Sequence, residues 1–326
     1  MPTVAITDHT FPDLDLEQAI LRPAGVDIVS LKERHPTAET AELVRNADAV
    51  ITQFAAVDAS VIGAMSRARA IVRYGIGYDN VDGAAARERG IPVCNIPDYC
   101  IDEVADQTLA FVLALTRQVV PNALAVREGR WGLATPLGSM AALRHLTVGV
   151  VGFGRIGREV VRRLLAFRAR VLVFDPVVPA ADIAASGAEP TASLGELLAG
   201  SNIVTPHCPS NPSTRHLFHA GTFAAMRRGS LFINVGRGDL ADSAALTEAL
   251  QSGHLAGAAL DVCDPEPIPR GHPILGLPQV VLASHIASAS PPAVQTLRET
   301  AARLALMAVR GEPLPNIVNG IAPVPR

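Results

Sequence analysis

A chain of 326 residues, 49% hydrophobic and 18% charged, is long enough for about two domains and apolar enough to bury a sizeable core, which excludes a largely disordered protein. The formal net charge is −3, and the 28 basic residues, with Lys32 the sole lysine, form no block of the kind that neutralises a nucleic-acid backbone. Residues 1–8 carry no basic flank, no later run approaches the ~18 apolar residues of a membrane span, and Cys94, Cys100, Cys208 and Cys263 make no C-x-x-C pair. The expectation is a soluble, unprocessed, cytoplasmic protein with reduced thiols, no metal site, and neither nucleic acid nor membrane as partner.

Along the chain, short apolar runs alternate with helical patterns, the signature of β-α repetition around a mostly parallel sheet. Strands are expected at residues 4–7, 27–29, 49–52, 70–73 and 92–94, separated by segments such as 38–46 and 81–89 that read as helix or helical turn. Residues 101–118, "IDEVADQTLAFVLALTRQ", carry acids in the first turn and apolar residues at helical spacing, and stop near Pro121. They predict a helix that crosses between two lobes. A second series of strands is expected at 147–151, 170–174, 202–205, 231–235, 258–262 and 280–283. After Pro291-Pro292, residues 293–309 again read as helix, and the proline-rich tail is expected to return to the first lobe. The fold class is α/β, with two doubly wound parallel-sheet lobes.

The stretch "VGVVGFGRIGREVVRRL", residues 148–164, holds the spacing Gly152-x-Gly154-x-x-Gly157. Alone, such a motif also serves tight turns and close helix packing. Here a strand precedes it, a helix spanning 156–166 follows, and the next strand ends in Asp175, at the interval where an acid accepts hydrogen bonds from an adenosine ribose. The glycines let the backbone approach a pyrophosphate, and the helix start, with Arg155 and Ile156, offers N–H groups and a positive dipole end. A carboxylate at the ribose repels a 2′-phosphate, and residues 176–178 supply no compensating arginine, so NAD is favoured over NADP. Asp175 also admits the plainer reading of an acid that ends a strand at the surface.

Ligands of open α/β folds bind outside the carboxyl ends of the strands. Reading those ends in order gives Asp175, His207, Arg237, Asp261 and His285, with Glu266 one short turn after Asp261 in "DVCDPEP". Beside a nicotinamide this set suggests ketone reduction by hydride. An arginine holds a substrate carboxylate and polarises the adjacent carbonyl, a histidine protonates the new alkoxide, and an acid keeps that histidine charged. Taken singly, Arg237 also reads as a surface ion pair, His285 as a hydrogen-bonded strand-end imidazole and Glu266 as a turn acid.

The run "LFINVGRGDLADSAALTEALQSGHLAGAALDVCDPEP", residues 231–267, resembles the signature of the D-isomer-specific 2-hydroxyacid dehydrogenases, and the resemblance covers nearly the whole chain. It implies a Rossmann NAD-binding domain over residues 101–290 and a flavodoxin-like substrate (cap) domain over 1–100 and 291–326. It places the substrate-binding arginine on Arg237 of "NVGRG", the acid paired with the catalytic histidine on Glu266, and the aspartate near the nicotinamide on Asp261. The histidine falls on His285, although the family's T-P-H reads Ala283-Ser284-His285 here. "HCPSNPSTRHL" resembles the cofactor loop, which makes His207, Pro209 and Thr214 dinucleotide contacts together with Val235 and Gly236.

In the first lobe "RYGIGYDNVD" resembles the substrate loop, in which backbone N–H groups near the paired glycines Gly75 and Gly77 hold the carboxylate, with Ile76 and Gly77 as the expected donors, and "NIPDYC" places Tyr99 beside it. Gln53, Phe54, Arg73, Tyr99 and Ser288 are the candidates for deciding which acid fits. The implied enzyme interconverts a small 2-keto acid and a D-2-hydroxy acid and forms a homodimer through the helix after residue 101 and the segment around Trp131. Its lobes are expected to close about hinges near residues 95–101 and 286–291. Residues 90–117 are closest in wording to the branch of the C-terminal-binding-protein corepressors, which leaves an NAD(H)-sensing interaction protein as one alternative. A phosphoglycerate dehydrogenase without a regulatory domain is another. A chain that runs from its first strand to Arg326 with no long polar tail weighs toward the enzyme.

Overall fold

Five parallel strands, β1 (Thr3–Ile6), β2 (Asp27–Ser30), β3 (Ala49–Thr52), β4 (Ile71–Arg73) and β5 (Val93–Cys94), form the first sheet in the order β2-β1-β3-β4-β5. Seven more form the second: β6 (Thr147–Val151), β7 (Arg170–Phe174), β8 (Glu189–Pro190), β9 (Ile203–Pro206), β10 (Ser230–Asn234), β11 (Leu255–Leu260) and β12 (Val280–Leu282), in the order β12-β11-β10-β9-β6-β7-β8. All neighbours run parallel. The first order is flavodoxin-like and the second is that of a Rossmann fold with an added strand. The computed structural model describes residues 1–322 and divides into two units, Met1–Tyr99 with the chain from Ser290 onward, and Cys100–Ala289. Residues 323–326 of the expected cap segment lie outside the described residues.

Strands covered by helices on both faces need apolar side chains throughout, and β3, "AVIT", is buried at all four positions. Helix starts are set by polar caps: Asp58 accepts from the Ser60 and Val61 amides, and Asp82 from those of Ala84 and Ala85. Helix Pro291–Arg310 combines a Ser290 cap, prolines in its first turn and a left-handed Gly311 at its end. It buries Leu297, Ala301, Leu304 and Ala305 in the first unit's core with Val4, Ile6, Ile51 and Val72. The tail then runs back to β5, where the Val318 N–H donates to Val93 O and the Asn319 side chain bonds Val93 N and Ile91 O. In the second unit Phe218, Phe223 and Phe232 pack mutually at 4.9–6.1 Å between ring centroids.

Some expectations are corrected. The helix expected to cross between lobes, Ile101–Thr116, belongs wholly to the second unit and packs on helix Arg155–Ala166. β11 starts at Leu255, three residues before the expected 258, because Leu255 and the small Gly257 already pair with β10. The two-residue β8 and the helices Asp15–Leu21 and Val119–Arg127 carry too little pattern to be read from sequence. No single described helix is long and apolar enough to cross a membrane.

In the second sheet the chain runs outward from β6 to β7 and β8, and from β9 to β12 on the other side. The carboxyl ends of β6 and β9 therefore flank the point where the winding reverses, and there such folds bind their ligands.

Candidate active site

β6 leads into the glycine loop, and helix Arg155–Ala166 starts at Gly154 with no side-chain cap. The N–H groups of Arg155, Ile156 and Gly157 thus stand without intrahelical acceptors at the positive end of the helix dipole. Gly152 has φ +100°, and a methyl on it would lie 2.7 Å from the Cys208 nitrogen. A methyl on Gly157 would lie 2.2 Å from the Gly152 carbonyl oxygen. Both glycines are required by the packing of the chain on itself. Gly154 differs: its backbone is extended, at φ −75° and ψ −162°, and nothing lies within 4 Å of a methyl placed there. Its lack of a side chain keeps open a space that the protein itself does not fill, which fits a pyrophosphate.

Asp175 follows β7 directly. Its Oδ2 accepts from Phe153 N at 2.7 Å, and its Oδ1 from Val177 N and Val178 N at 2.8 and 3.0 Å. Burial opposes its charge, but the three backbone donors and the Arg158 guanidinium outweigh it and hold the carboxyl below its ordinary value. Oδ2 keeps a lone pair for a ribose hydroxyl. The arginine missing from residues 176–178 arrives from elsewhere, since Arg158 lies 4.3 Å from the Phe153 ring centroid and within electrostatic reach of Asp175.

His207 Nε2 lies 3.1 Å from Thr205 Oγ1, and burial pushes the imidazole down to about 4, so the ring is neutral at physiological pH. Thr214, expected on the dinucleotide, spends its hydroxyl within its own loop. It donates to Pro209 O at 2.6 Å and accepts from Asn211 N at 2.9 Å. Burial also pushes the Cys208 and Cys263 thiols up to about 11, so both are protonated at neutral pH.

Around the strand ends of β10, β11 and β12 the backbone is tightly held. Asn234 donates to Arg237 O at 2.7 Å and accepts from Gly236 N at 3.0 Å, fixing the turn Val235-Gly236-Arg237. Arg237 Nη1 donates to Gly236 O at 3.0 Å. Asp261, 1% exposed, governs the stretch after β12: its carbonyl accepts from His285 N at 2.7 Å, and its carboxylate from Ile286 N at 2.9 Å and Ala287 N at 2.8 Å. His285 has φ +58°, a left-handed conformation that costs a non-glycine residue about 1–3 kcal/mol. Two charge-assisted bonds at about 1.5–3 kcal/mol each offset that cost. Asp261, expected near the nicotinamide, thus has both oxygens engaged in shaping the histidine turn.

His285 Nδ1 lies 2.9 Å from Glu266 Oε1, with side-chain exposures of 23% and 32%. The missing proline does not misdirect the ring, because Ala283 N on Leu260 O and His285 N on Asp261 O set the path in its place. With Nδ1 turned to the carboxylate, Nε2 is the nitrogen placed to exchange a proton. Among the described residues no group of three or more His, Cys, Asp and Glu side chains could hold a metal ion.

In the first unit the substrate-loop candidates follow β4. The loop's carbonyls are taken: Ile96 N donates to Gly75 O at 3.0 Å and Asn95 Nδ2 to Ile76 O at 2.7 Å. Among the described residues the Ile76 and Gly77 N–H groups have no acceptor. Gly75 has φ +148°, and the Arg73 guanidinium occupies the place of a side chain there. Tyr74 Oη donates to buried Glu17 at 2.9 Å, and Glu17 takes two further bonds from Arg298 at 2.9 and 2.7 Å. Tyr99 is half-buried on the unit's core. Gln53, a specificity candidate, has its amide closed on Thr10 in both directions, at 2.7 and 3.1 Å. Arg158, Asp8 and the Glu17–Arg298 pair were not anticipated. A carboxylate at the end of β1 was the one local signal, for Asp8.

The sequence model for the NAD-binding domain of the D-isomer-specific 2-hydroxyacid dehydrogenases matches residues 109–287. The chain belongs to this family. It is 37% identical over 281 residues to the glyoxylate reductase of Korarchaeum cryptofilum, covering 85% of this chain and 84% of that one. It is 37% identical over 277 residues to the D-3-phosphoglycerate dehydrogenase of Mycobacterium bovis, but spans only 52% of that relative's length. The crystal structure of D-lactate dehydrogenase from Aquifex aeolicus, complexed with NAD and lactic acid, superposes with a TM-score of 0.85 at 27% identity and covers 95% of this chain and 96% of that one. The second unit of this 2-hydroxyacid dehydrogenase is thus the family's Rossmann domain, and its cofactor is a nicotinamide dinucleotide.

Proposed function

We propose that the protein reduces a small 2-keto acid to the D-2-hydroxy acid with NADH, and that the His285–Glu266 pair carries the proton chemistry. The 2.9 Å contact between His285 Nδ1 and Glu266 Oε1 is the observation that supports this most directly. The Ile76 and Gly77 N–H groups take the substrate carboxylate, and the Arg237 fork takes the carboxylate edge and polarises the ketone. When bound, the nicotinamide supplies the hydride. His285 delivers its Nε2 proton to the oxygen that becomes negative, and Glu266 stabilises the imidazolium beforehand. Asp261 is a positioning residue that keeps the imidazole aimed.

The Gly154 space and the free helix N–H groups fit the pyrophosphate, with His207, Pro209, Val235 and Gly236 lining its approach. Asp175 favours NAD over NADP by repelling a 2′-phosphate, and the nearby Arg158 acts against that preference. Names of relatives such as glyoxylate reductase and D-lactate dehydrogenase support an enzyme over an NAD(H)-sensing interaction protein. The exposed apolar residues Val119, Val120, Leu124, Val126, Trp131 and Leu133 support a homodimer formed through this segment. Among the described residues no disulfide joins Cys94, Cys100, Cys208 or Cys263, which supports a cytoplasmic location. Following NADH absorbance with a panel of 2-keto acids tests the reading. At least one small 2-keto acid should consume NADH, and failure of all of them, with no NADH binding, would overturn it.

A further inference from the structure

The interior of the first unit holds an ion pair that the proposed chemistry does not use. Glu17, on helix Asp15–Leu21, is 0% exposed, and Arg298, on helix Pro291–Arg310, is 5% exposed. Arg298 Nε and Nη2 reach the two Glu17 oxygens at 2.9 and 2.7 Å, and Nη2 also donates to Asp13 O at 2.8 Å and to Asp13 Oδ1 at 3.1 Å. Exchanging such a pair for apolar side chains of similar volume is often neutral or stabilising, so filling the core does not account for it. What the pair adds is direction. Glu17 Oε1 takes a third bond, from Tyr74 Oη at 2.9 Å. Burial and the adjacent Glu17 carboxylate hold the Tyr74 phenol well above its ordinary value, so it stays a neutral donor.

The same three groups enclose one ring. Phe11 meets Tyr74 edge-on at 5.3 Å, and Arg298 Cζ lies 4.8 Å from the Phe11 centroid. With ring and hydroxyl both held, the backbone of Tyr74 is held too, and that backbone is the near end of the substrate loop. Its N–H donates to Thr52 O at 2.8 Å and its carbonyl accepts from Arg73 Nη1 at 2.6 Å. Gly75 follows at φ +148°, and a glycine imposes no path of its own, so the loop is directed from either side of it. On the far side Ile96 N and Asn95 Nδ2 hold the Gly75 and Ile76 carbonyls. Between these two clamps stand the Ile76 and Gly77 N–H groups, which have no acceptor among the described residues.

We propose that Tyr74 is a positioning residue of the substrate-carboxylate loop, aimed by the buried Glu17–Arg298 pair, so that an ion pair closed inside the first unit sets the affinity for the 2-keto acid. This rests on the reading above in which the Ile76 and Gly77 N–H groups take the substrate carboxylate. The carboxylate is held alike in the bound substrate and in the transition state, so loosening the loop raises KM and leaves kcat in place.

Tyr74→Phe keeps the ring on Phe11 and removes only the bond to Glu17. For the best 2-keto acid of the panel it should raise KM about tenfold, with kcat within about twofold of wild type and the Kd of NADH unchanged. Titrating the NADH-loaded protein with oxamate, a 2-keto acid analogue that accepts no hydride, reads the same loss of affinity without turnover. Glu17→Leu together with Arg298→Met removes both charges at similar volume and should raise KM by a similar factor. Adding Tyr74→Phe to that pair should then change KM by less than about twofold, since the hydroxyl has no carboxylate left to lose. Three results would overturn the proposal: a Tyr74→Phe protein that melts lower but keeps wild-type KM and oxamate affinity, a loss confined to kcat, or KM effects of the two changes that simply multiply. Each of these leaves NADH-dependent turnover, and with it the 2-keto acid reading, standing. Absence of NADH binding and of all turnover in the wild type removes that reading and this one together.

Discussion

Replacing Gly154 with alanine separates a glycine reserved for a ligand from one reserved for the fold. Its φ of −75° and ψ of −162° are open to any L-residue, and a methyl there meets nothing within 4 Å. Loss of unfolded-state freedom stabilises such a change by about 0.4–1 kcal/mol, and alanine's poor performance as a helix cap costs about as much. The melting temperature should therefore stay within about 3 °C of wild type. NADH binding should weaken sharply, since displacing the pyrophosphate from the helix start forfeits one or two charge-assisted bonds, about 3 kcal/mol or ~100-fold in Kd. Gly157→Ala should behave in the opposite sense. Its methyl would sit 2.2 Å from the Gly152 carbonyl oxygen, so overpacking of about 3 kcal/mol should lower the melting temperature by about 6–12 °C. Calorimetry of the free protein and fluorescence titration with NADH provide both readings. A Gly154→Ala protein that binds NADH as wild type does would refute the assignment of that space.

For His207, burial holds the neutral form down to about 4 while the unfolded chain protonates near 6.5, so the unfolded state gains its proton first and stability falls as pH drops from about 6.5 to 4. The slope is at most about 1.4 kcal/mol per pH unit, and urea unfolding across that range should show it flattened in His207→Gln; parallel curves would count against it. Asp175→Ala should reduce the preference for NADH over NADPH at least about tenfold and also weaken NADH binding, because Phe153 N loses its acceptor; an unchanged ratio of kcat/KM values means that the carboxylate does not meet the ribose. His285→Ala should act mainly on kcat, whereas Arg237→Lys should raise KM as well by losing the two-point grip. Glu266→Gln should mainly lower kcat, since His285 Nδ1 loses its carboxylate partner at 2.9 Å; an unchanged kcat would count against the role of the pair.

Much of the fold was legible because parallel sheets need near-continuous apolar strands and because turn chemistry is local. The Gly152–Gly157 loop, Asp175 at the end of β7 and Arg237 at the end of β10 all sit within a few residues of the strand that announces them. What remained hidden depends on partners distant in sequence. Glu17 and Arg298 meet across 281 positions, and Asp261 finds its backbone donors 25 and 26 residues later. Such pairings leave no periodicity to read. Thr214 and Gln53 make a related point: a polar side chain in a loop first satisfies its own loop, as the Pro209 and Thr10 contacts show, and no periodicity announces those bonds. The helix Ile101–Thr116 was well placed along the chain, but amphipathicity alone does not say which sheet an apolar face will cover.

The most direct measurement is the handedness of the product. A 2-keto acid that the protein reduces with NADH should be carried to completion and the hydroxy acid resolved by chiral chromatography. Membership of the D-isomer-specific 2-hydroxyacid dehydrogenases, with Arg237 and the His285–Glu266 pair in their proposed roles, predicts the D enantiomer alone. An L product, or a racemic mixture, would contradict it.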